Sequence, residues 1–127
     1  MPVISISLNR EILAETDRIQ KELGFSGRSE VIRTALRALI ANSKEKRALA
    51  GRLRAILLLL HHKNAENAVT AIKHKYEEIT KSQSHHHLGE EKCLEIFVLD
   101  GDAEKIKEME RLFTTSRKME YVALIII

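Results

Sequence analysis

The feature that most limits the fold of this chain is one short alternating segment near its start. In residues 3–8, Ile4, Ile6 and Leu8 point one way and Val3, Ser5 and Ser7 the other, the period-2 pattern of a half-buried strand. Asn9 is a good N-cap for a helix over residues 10–23, where Ile12, Thr16, Ile19 and Leu23 recur at helical spacing. Gly24 stops that helix as a left-handed cap. The turn Phe25-Ser26-Gly27 leads into a second helix, with Glu30 in its first turn and the pairs Val31/Ile32, Ala35/Leu36 and Leu39/Ile40 as a broad apolar stripe. One strand and two helices in so short a stretch cannot enclose a core, and a lone strand leaves both edges unpaired. Pairing the strand with its copy from a second chain gives an antiparallel ribbon covered on its apolar face by four helices. Burial alone therefore predicts an obligate, intertwined dimer.

The polar stretch 42–47 marks a boundary, which divides the 127 residues into an N-terminal domain, 1–47, and a C-terminal domain, 48–127. In the second domain, residues 52–61 read as a strand whose run Leu57-Leu58-Leu59-Leu60 is buried on both faces. A helix over 64–81 places Ala65, Ala68, Val69, Ile72, Tyr76 and Ile79 on one side. Strands follow at 84–88 and 93–99, then a helix to about Thr115 with Ile106, Met109 and Phe113 inward, then a β-branched strand at 119–127. The order β-α-β-β-α-β gives an α+β, ferredoxin-like domain, an antiparallel sheet with helices on one face. Its open face calls for cover, and another copy of the chain is the obvious cover.

Charge is unevenly spread. Residues 1–54 hold eleven Lys/Arg against six Asp/Glu, an excess of five positive charges, whereas 55–127 hold ten against twelve. That bias suits contact with a polyanion at the N-terminal end. No apolar run approaches the roughly 18 residues of a membrane span, no secretion signal is visible, and one cysteine forms no intrachain disulfide. A cytoplasmic protein is expected.

The outward residues Val3, Ser5 and Ser7 suit a two-stranded ribbon in the DNA major groove. Arg28 and Ser29 stand where the free N–H groups of a helix start can clamp phosphate. The pattern ISISL, a helix, Gly24-Phe25, and then Arg28-Ser29-Glu30-Val31-Ile32-Arg33 resembles a ribbon-helix-helix domain over residues 2–42. The resemblance implies base reading by Val3, Ser5 and Ser7 and phosphate contact by Arg28 and Ser29. Nickel-responsive members commonly carry arginine where Val3 stands, and valine cannot make the bidentate arginine–guanine pair, so the operator sequence stays open. Relatives pair Glu30 with an acid one turn on to hold a cation. Thr34 stands there instead, so Glu30 is read as a helix-start carboxylate favoured by the dipole.

The histidines are His61, His62, His74, His85, His86 and His87, and Cys93 is the only thiol. On a strand His85 and His87 emerge on one face and His86 on the other, and after the turn at Gly89 Cys93 can come alongside. His74 lies about 180° from the apolar centre of its helix, at 100° per residue, and so faces away from its own core. It can join the others only from a neighbouring subunit. His61 and His62 read as surface residues at a strand end. The spacing His74, His85-x-His87, Cys93-Leu94-Glu95-Ile96 resembles the C-terminal, ACT-like domain of the nickel-responsive regulator family. That resemblance implies one nickel ion per subunit in a square plane of His85, His87 and Cys93, with His74 supplied across a tetramer interface.

Thiolate and imidazole favour late first-row metals, so copper, cobalt or zinc is an alternative cargo. The expected protein is a homotetramer, a dimer of dimers, which binds a palindromic double-stranded operator, and the resemblance implies that it represses nickel uptake genes. A small-molecule sensor is the second reading, since the β-α-β-β-α-β domain resembles regulatory domains that bind amino acids. An enzyme is disfavoured, because His85, His87 and Cys93 come with no further acid or oxyanion motif.

Overall fold

The computed structural model describes residues 1–127 as two compact units, Met1–Arg47 and Ala48–Ile127. In the first unit, helix α1 (Arg10–Leu23) begins where the Asn9 side chain accepts the Ile12 N–H at 2.8 Å. It ends at Gly24, whose φ of 75° lets its N–H turn back to the Gln20 carbonyl. Helix α2 (Arg28–Ala48) runs through the polar stretch 42–47 as a helical extension. Residues 1–9 form no regular element within the chain. A strand exists only where a neighbour completes its ladder, and no strand of this chain pairs with this segment.

Self-burial in this unit is correspondingly poor. Thr16 and Val31 are its only buried residues, while Ile4, Ile6, Leu8, Ile12, Ile19, Leu36, Leu39 and Ile40 stay exposed. Such a surface is far from what a folded single chain leaves open.

The second unit contains β1 (Arg52–His62), α3 (Glu66–Lys75), β2 (Thr80–Leu88), β3 (Lys92–Asp102), α4 (Ala103–Thr115) and β4 (Met119–Ile126). The sheet is antiparallel in the order β2-β3-β1-β4. The two β-α-β halves thus interleave in the ferredoxin-like way. Asp102 caps α4 by accepting the Glu104 N–H. The core lies between the sheet and its helices: Leu57, Leu59, Phe97 and Leu99 from the strands, Val69, Tyr76 and Ile79 from the α3 region, and Ile106, Met109 and Phe113 from α4. The opposite face carries Ile56, Leu58 and Leu60 in register with Val98, Ile96 and Leu94 on one side and with Ile125, Ala123 and Tyr121 on the other. These side chains are only partly buried or exposed.

The expected long helix over 64–81 is shorter. Single turns at Lys63–Ala65 and Glu77–Ile79 flank α3, and β2 begins at Thr80. The helix breaks at Tyr76 (φ −125°, ψ 25°), where the Thr80 hydroxyl donates to the Tyr76 carbonyl at 2.9 Å and satisfies a group the helix leaves free. This bend drops Ile79 against Gly101. A Cβ added at Gly101 would stand 2.5 Å from Ile79 Cγ2 and 3.0 Å from Ile79 Cβ. Ile79 is a buried, stiff, β-branched side chain. Gly101→Ala is therefore expected to destabilise this unit by about 1–3 kcal/mol in a urea titration. An unchanged midpoint would show that the contact relaxes freely.

Candidate metal centre

The hairpin β2–β3 turns through Gly89 (φ 70°) and sets His87 opposite Cys93 and His85 opposite Glu95. Across β3, Cys93 faces His61 and Glu95 faces Leu59. Residues directly opposite in an antiparallel sheet share a face. His61, Cys93 and His87 therefore form one row on the helix-covered side, with Glu95 and His85 in the next. His86 pairs with Leu94 and points to the other side.

The register brings metal-binding atoms together. His85, His87 and Cys93 each offer a ligand atom within 4.8 Å of the other two. The Cys93 Sγ lies 3.9 Å from His87 Nδ1, and the His85 and His87 ring centres are 4.9 Å apart. Behind them Glu95, wholly buried, accepts from Gln83 Nε2 at 2.7 Å and faces His85 Nδ1 at 3.3 Å. A proton held at His85 Nδ1 leaves Nε2 as the lone pair for a metal, the usual carboxylate–histidine arrangement. Two imidazoles and one thiol on a rigid hairpin fit a late first-row cation.

His74 stands elsewhere. It is exposed on α3, and its Nδ1 lies 2.6 Å from Glu77 Oε1. That contact orients the ring and leaves Nε2 free to bind something outside the chain. Within one chain it joins none of the clustered ligands.

One sequence expectation is overturned. His61 is no surface residue: its side chain is fully buried, as is that of Glu95, 2.6 Å from its Nε2. His61 Nδ1 meets the His62 carbonyl at 2.7 Å. A carbonyl only accepts, so Nδ1 carries hydrogen. The carboxylate contact at Nε2 then needs a second proton, from the imidazolium or from Glu95 itself. The reason for burial is register: His61 continues the inward row of Ala55, Leu57 and Leu59. His62, on the other side, is partly exposed. Its Nδ1 accepts the Asn64 N–H at 3.0 Å and its Nε2 faces Glu91 at 2.6 Å, so it serves as a turn cap.

Sequence reasoning did not single out Glu66 or Gln83, quoted Glu95 only within the Cys93-Leu94-Glu95-Ile96 motif, and read His61 as a surface residue. The available signal was a charged residue, Glu95, at an inward position of an apolar strand, two residues beyond Cys93.

Burial pushes the Cys93 thiol above its ordinary value, and the Glu66 and Glu95 carboxylates push the same way, with Lys63 opposing. A metal must displace that proton. Apparent affinity for a divalent cation is therefore expected to rise with pH across the neutral range, about tenfold per pH unit for each proton released. Titrations at several pH values check this, and a pH-independent affinity would contradict it.

In the first unit Val3, Ser5, Ser7, Arg28 and Ser29 are all exposed. The Arg28 guanidinium spans both Asp17 carboxylate oxygens at 2.8 and 3.0 Å, and this hydrogen-bonded contact holds the Asp17 carboxyl below its ordinary range. Glu30 pairs with Arg33 and Arg37 along α2.

With this geometry in hand, the comparisons with known proteins are specific. Residues 55–127 match the family described as NikR C terminal nickel binding domain. Residues 3–43 match the ribbon-helix-helix proteins of the copG family. A protein named as a nickel-responsive regulator from Methanococcus maripaludis (strain C5) is 35% identical over 127 residues, covering 98% of this chain and 90% of its own length. Another so named, from Methanococcoides burtonii, is 35% identical over 124 residues, covering 95% of this chain and 89% of its own length. Among solved structures, an uncharacterized protein from Thermotoga maritima aligns with a TM-score of 0.56, covering 61% of this chain and 99% of that one. At 16% identity that likeness speaks to the fold alone.

Proposed function

The chain belongs to the family of nickel-responsive transcriptional regulators, and from that premise we propose that each nickel ion is held by His85, His87 and Cys93 of one subunit and His74 of a second. The chain is a nickel-responsive regulator that binds DNA through its ribbon-helix-helix part. No helix is long and apolar enough to cross a membrane.

One observation carries the reading. Three donors converge on a hairpin, while the remaining family histidine faces outward with its ring fixed by Glu77 and its other nitrogen free. The half-covered apolar face of the sheet supports assembly of the sensing units, and the exposed apolar residues of the first unit support a dimer there. The assembly is then a tetramer, a dimer of dimers. Nickel bound across two subunits favours one arrangement of the two DNA-reading dimers over others. That is a population shift, because the ion binds best where both halves of its site meet.

The regulator represses nickel uptake genes from a palindromic operator, with Val3, Ser5 and Ser7 at base edges and Arg28 and Ser29 at phosphates. Arg28 must leave or share its contact with Asp17 to do so. Selection of DNA from a random pool, with and without Ni(II), tests this. The expected product is a two-fold symmetric site enriched only with nickel. Nickel-dependent enrichment that survives His74→Ala unchanged would exclude the shared site.

A further inference from the structure

We propose that Asp17 is a positioning residue for DNA: it grips one edge of the Arg28 guanidinium so that the opposite edge is presented to a backbone phosphate. This rests on the reading of Arg28 as a phosphate contact and adds how that side chain is held. Arg28 Nε donates to Asp17 Oδ1 at 2.8 Å and Arg28 Nη2 donates to Asp17 Oδ2 at 3.0 Å. A guanidinium carries five N–H donors in a planar fork. The contact with Asp17 uses the Nε–Nη2 edge, so the tip of the fork, with Nη1 and the second Nη2 hydrogen, points away from the carboxylate. Two parallel N–H donors on that tip match two oxygens of a phosphate.

The two partners sit on elements that suit these roles. Asp17 lies within α1, a helix fixed at one end by the Asn9 cap and at the other by Gly24. Its neighbour Thr16 is buried and donates its hydroxyl to the Ile12 carbonyl at 2.8 Å. Arg28 is the first residue of α2, beyond the turn. The Val31 N–H donates to the Gly27 carbonyl, so the N–H groups of Arg28, Ser29 and Glu30 stand at the mouth of the helix, where an anion is favoured. Asp17 thus holds a long side chain beside donors that the backbone already fixes. Both side chains stay within reach of a ligand, with accessibilities of 58% for Arg28 and 39% for Asp17.

Charge counting and geometry point in opposite directions here. A carboxylate repels a nearby phosphate, so its removal should strengthen DNA binding if charge alone mattered. That repulsion acts across the width of the guanidinium, through solvent and salt, and is screened. The loss of orientation is felt directly, because an arginine freed from Asp17 must give up its rotamer freedom on meeting DNA. Geometry outweighs charge, and removing the negative charge weakens binding.

Full-length, nickel-loaded protein is titrated onto a duplex recovered by selection with Ni(II), at a series of KCl concentrations. Wild type, Asp17→Asn, Arg28→Ala and the double variant are compared, with circular dichroism to verify the fold of each. Arg28→Ala is expected to weaken binding about tenfold or more and to reduce the slope of log affinity against log salt by about 1. Asp17→Asn is expected to weaken binding roughly three- to tenfold with the slope unchanged, since the cation is still present but no longer aimed. In the Arg28→Ala background the same change should alter affinity less than about twofold, because nothing is left to aim. Asp17→Asn protein that binds as wild type, or more tightly with a steeper salt slope, overturns the positioning role while Arg28 remains a phosphate contact. An equal loss in both backgrounds overturns it too, and makes Asp17 a structural residue. Arg28→Ala protein that binds as wild type overturns the phosphate reading of Arg28 itself.

Discussion

Cys93→Ala is expected to abolish the thiolate-to-nickel charge-transfer absorption and to weaken nickel binding well beyond the roughly 10- to 100-fold that loss of an outer-shell partner costs. The sulfur is the only soft donor among the clustered side chains. The fold is expected to persist, because the change deletes one buried atom at the end of the sheet and leaves the central Leu57, Leu59, Phe97 and Phe113 untouched. Nickel titration followed by absorption, beside circular dichroism of the same samples, reads both effects. Tight nickel binding by a folded Cys93→Ala protein would rule out the thiolate as a ligand.

The second large effect concerns stability. Glu95→Ala leaves His61 buried with no carboxylate at Nε2, and Gln83 without its acceptor. Removing one member of a buried hydrogen-bonded pair commonly costs about 1–3 kcal/mol, and more where the survivor is charged, since the surviving group keeps its desolvation penalty. The metal-free Glu95→Ala protein is expected to unfold that much more easily, at matched protein concentration. The double variant His61→Leu with Glu95→Leu removes both polar groups, and most of the lost stability should return. A Glu95→Ala protein as stable as wild type would mean that water or repacking relieves His61. Failure of the double variant to recover would mean that packing, not pairing, sets the loss.

Much of this was readable in the chain because local chemistry and tertiary structure agree. Asn9 and Gly24 bracket α1, and the alternation of β1 and β3 follows from apolar residues that face a helix layer. The pairing of His85, His87 and Cys93 needs only strand periodicity and one glycine turn. What the residues conceal depends on contacts distant in sequence. His61 stands at a strand end, where exposure is the ordinary expectation. It is buried because it continues the inward row of β1, where β3 brings Glu95 from 34 positions away to meet it. The polar start of β2, Thr80 to Ser84, shows no apolar alternation, because an edge strand there is held by the ladder to β3. The helix break at Tyr76 follows from seating Ile79 beside Gly101, a contact invisible to helical periodicity. The alternating segment 3–8 lacks a ladder for a different reason: no strand of this chain pairs with it.

The most direct test of the central claim is complementation between two defective chains. Cys93→Ala keeps His74, and His74→Ala keeps His85, His87 and Cys93. At nickel concentrations that saturate wild type but not the weakened His74→Ala site, each alone should lack the nickel charge-transfer band. Co-assembled, a mixed pair offers one complete site, formed by the hairpin of one chain and the histidine of the other. The account predicts that the band returns in the mixture at up to half the wild-type intensity per mixed pair. A mixture verified to contain both chains in one oligomer, yet as silent as its components, would contradict the claim that the nickel site is shared between subunits.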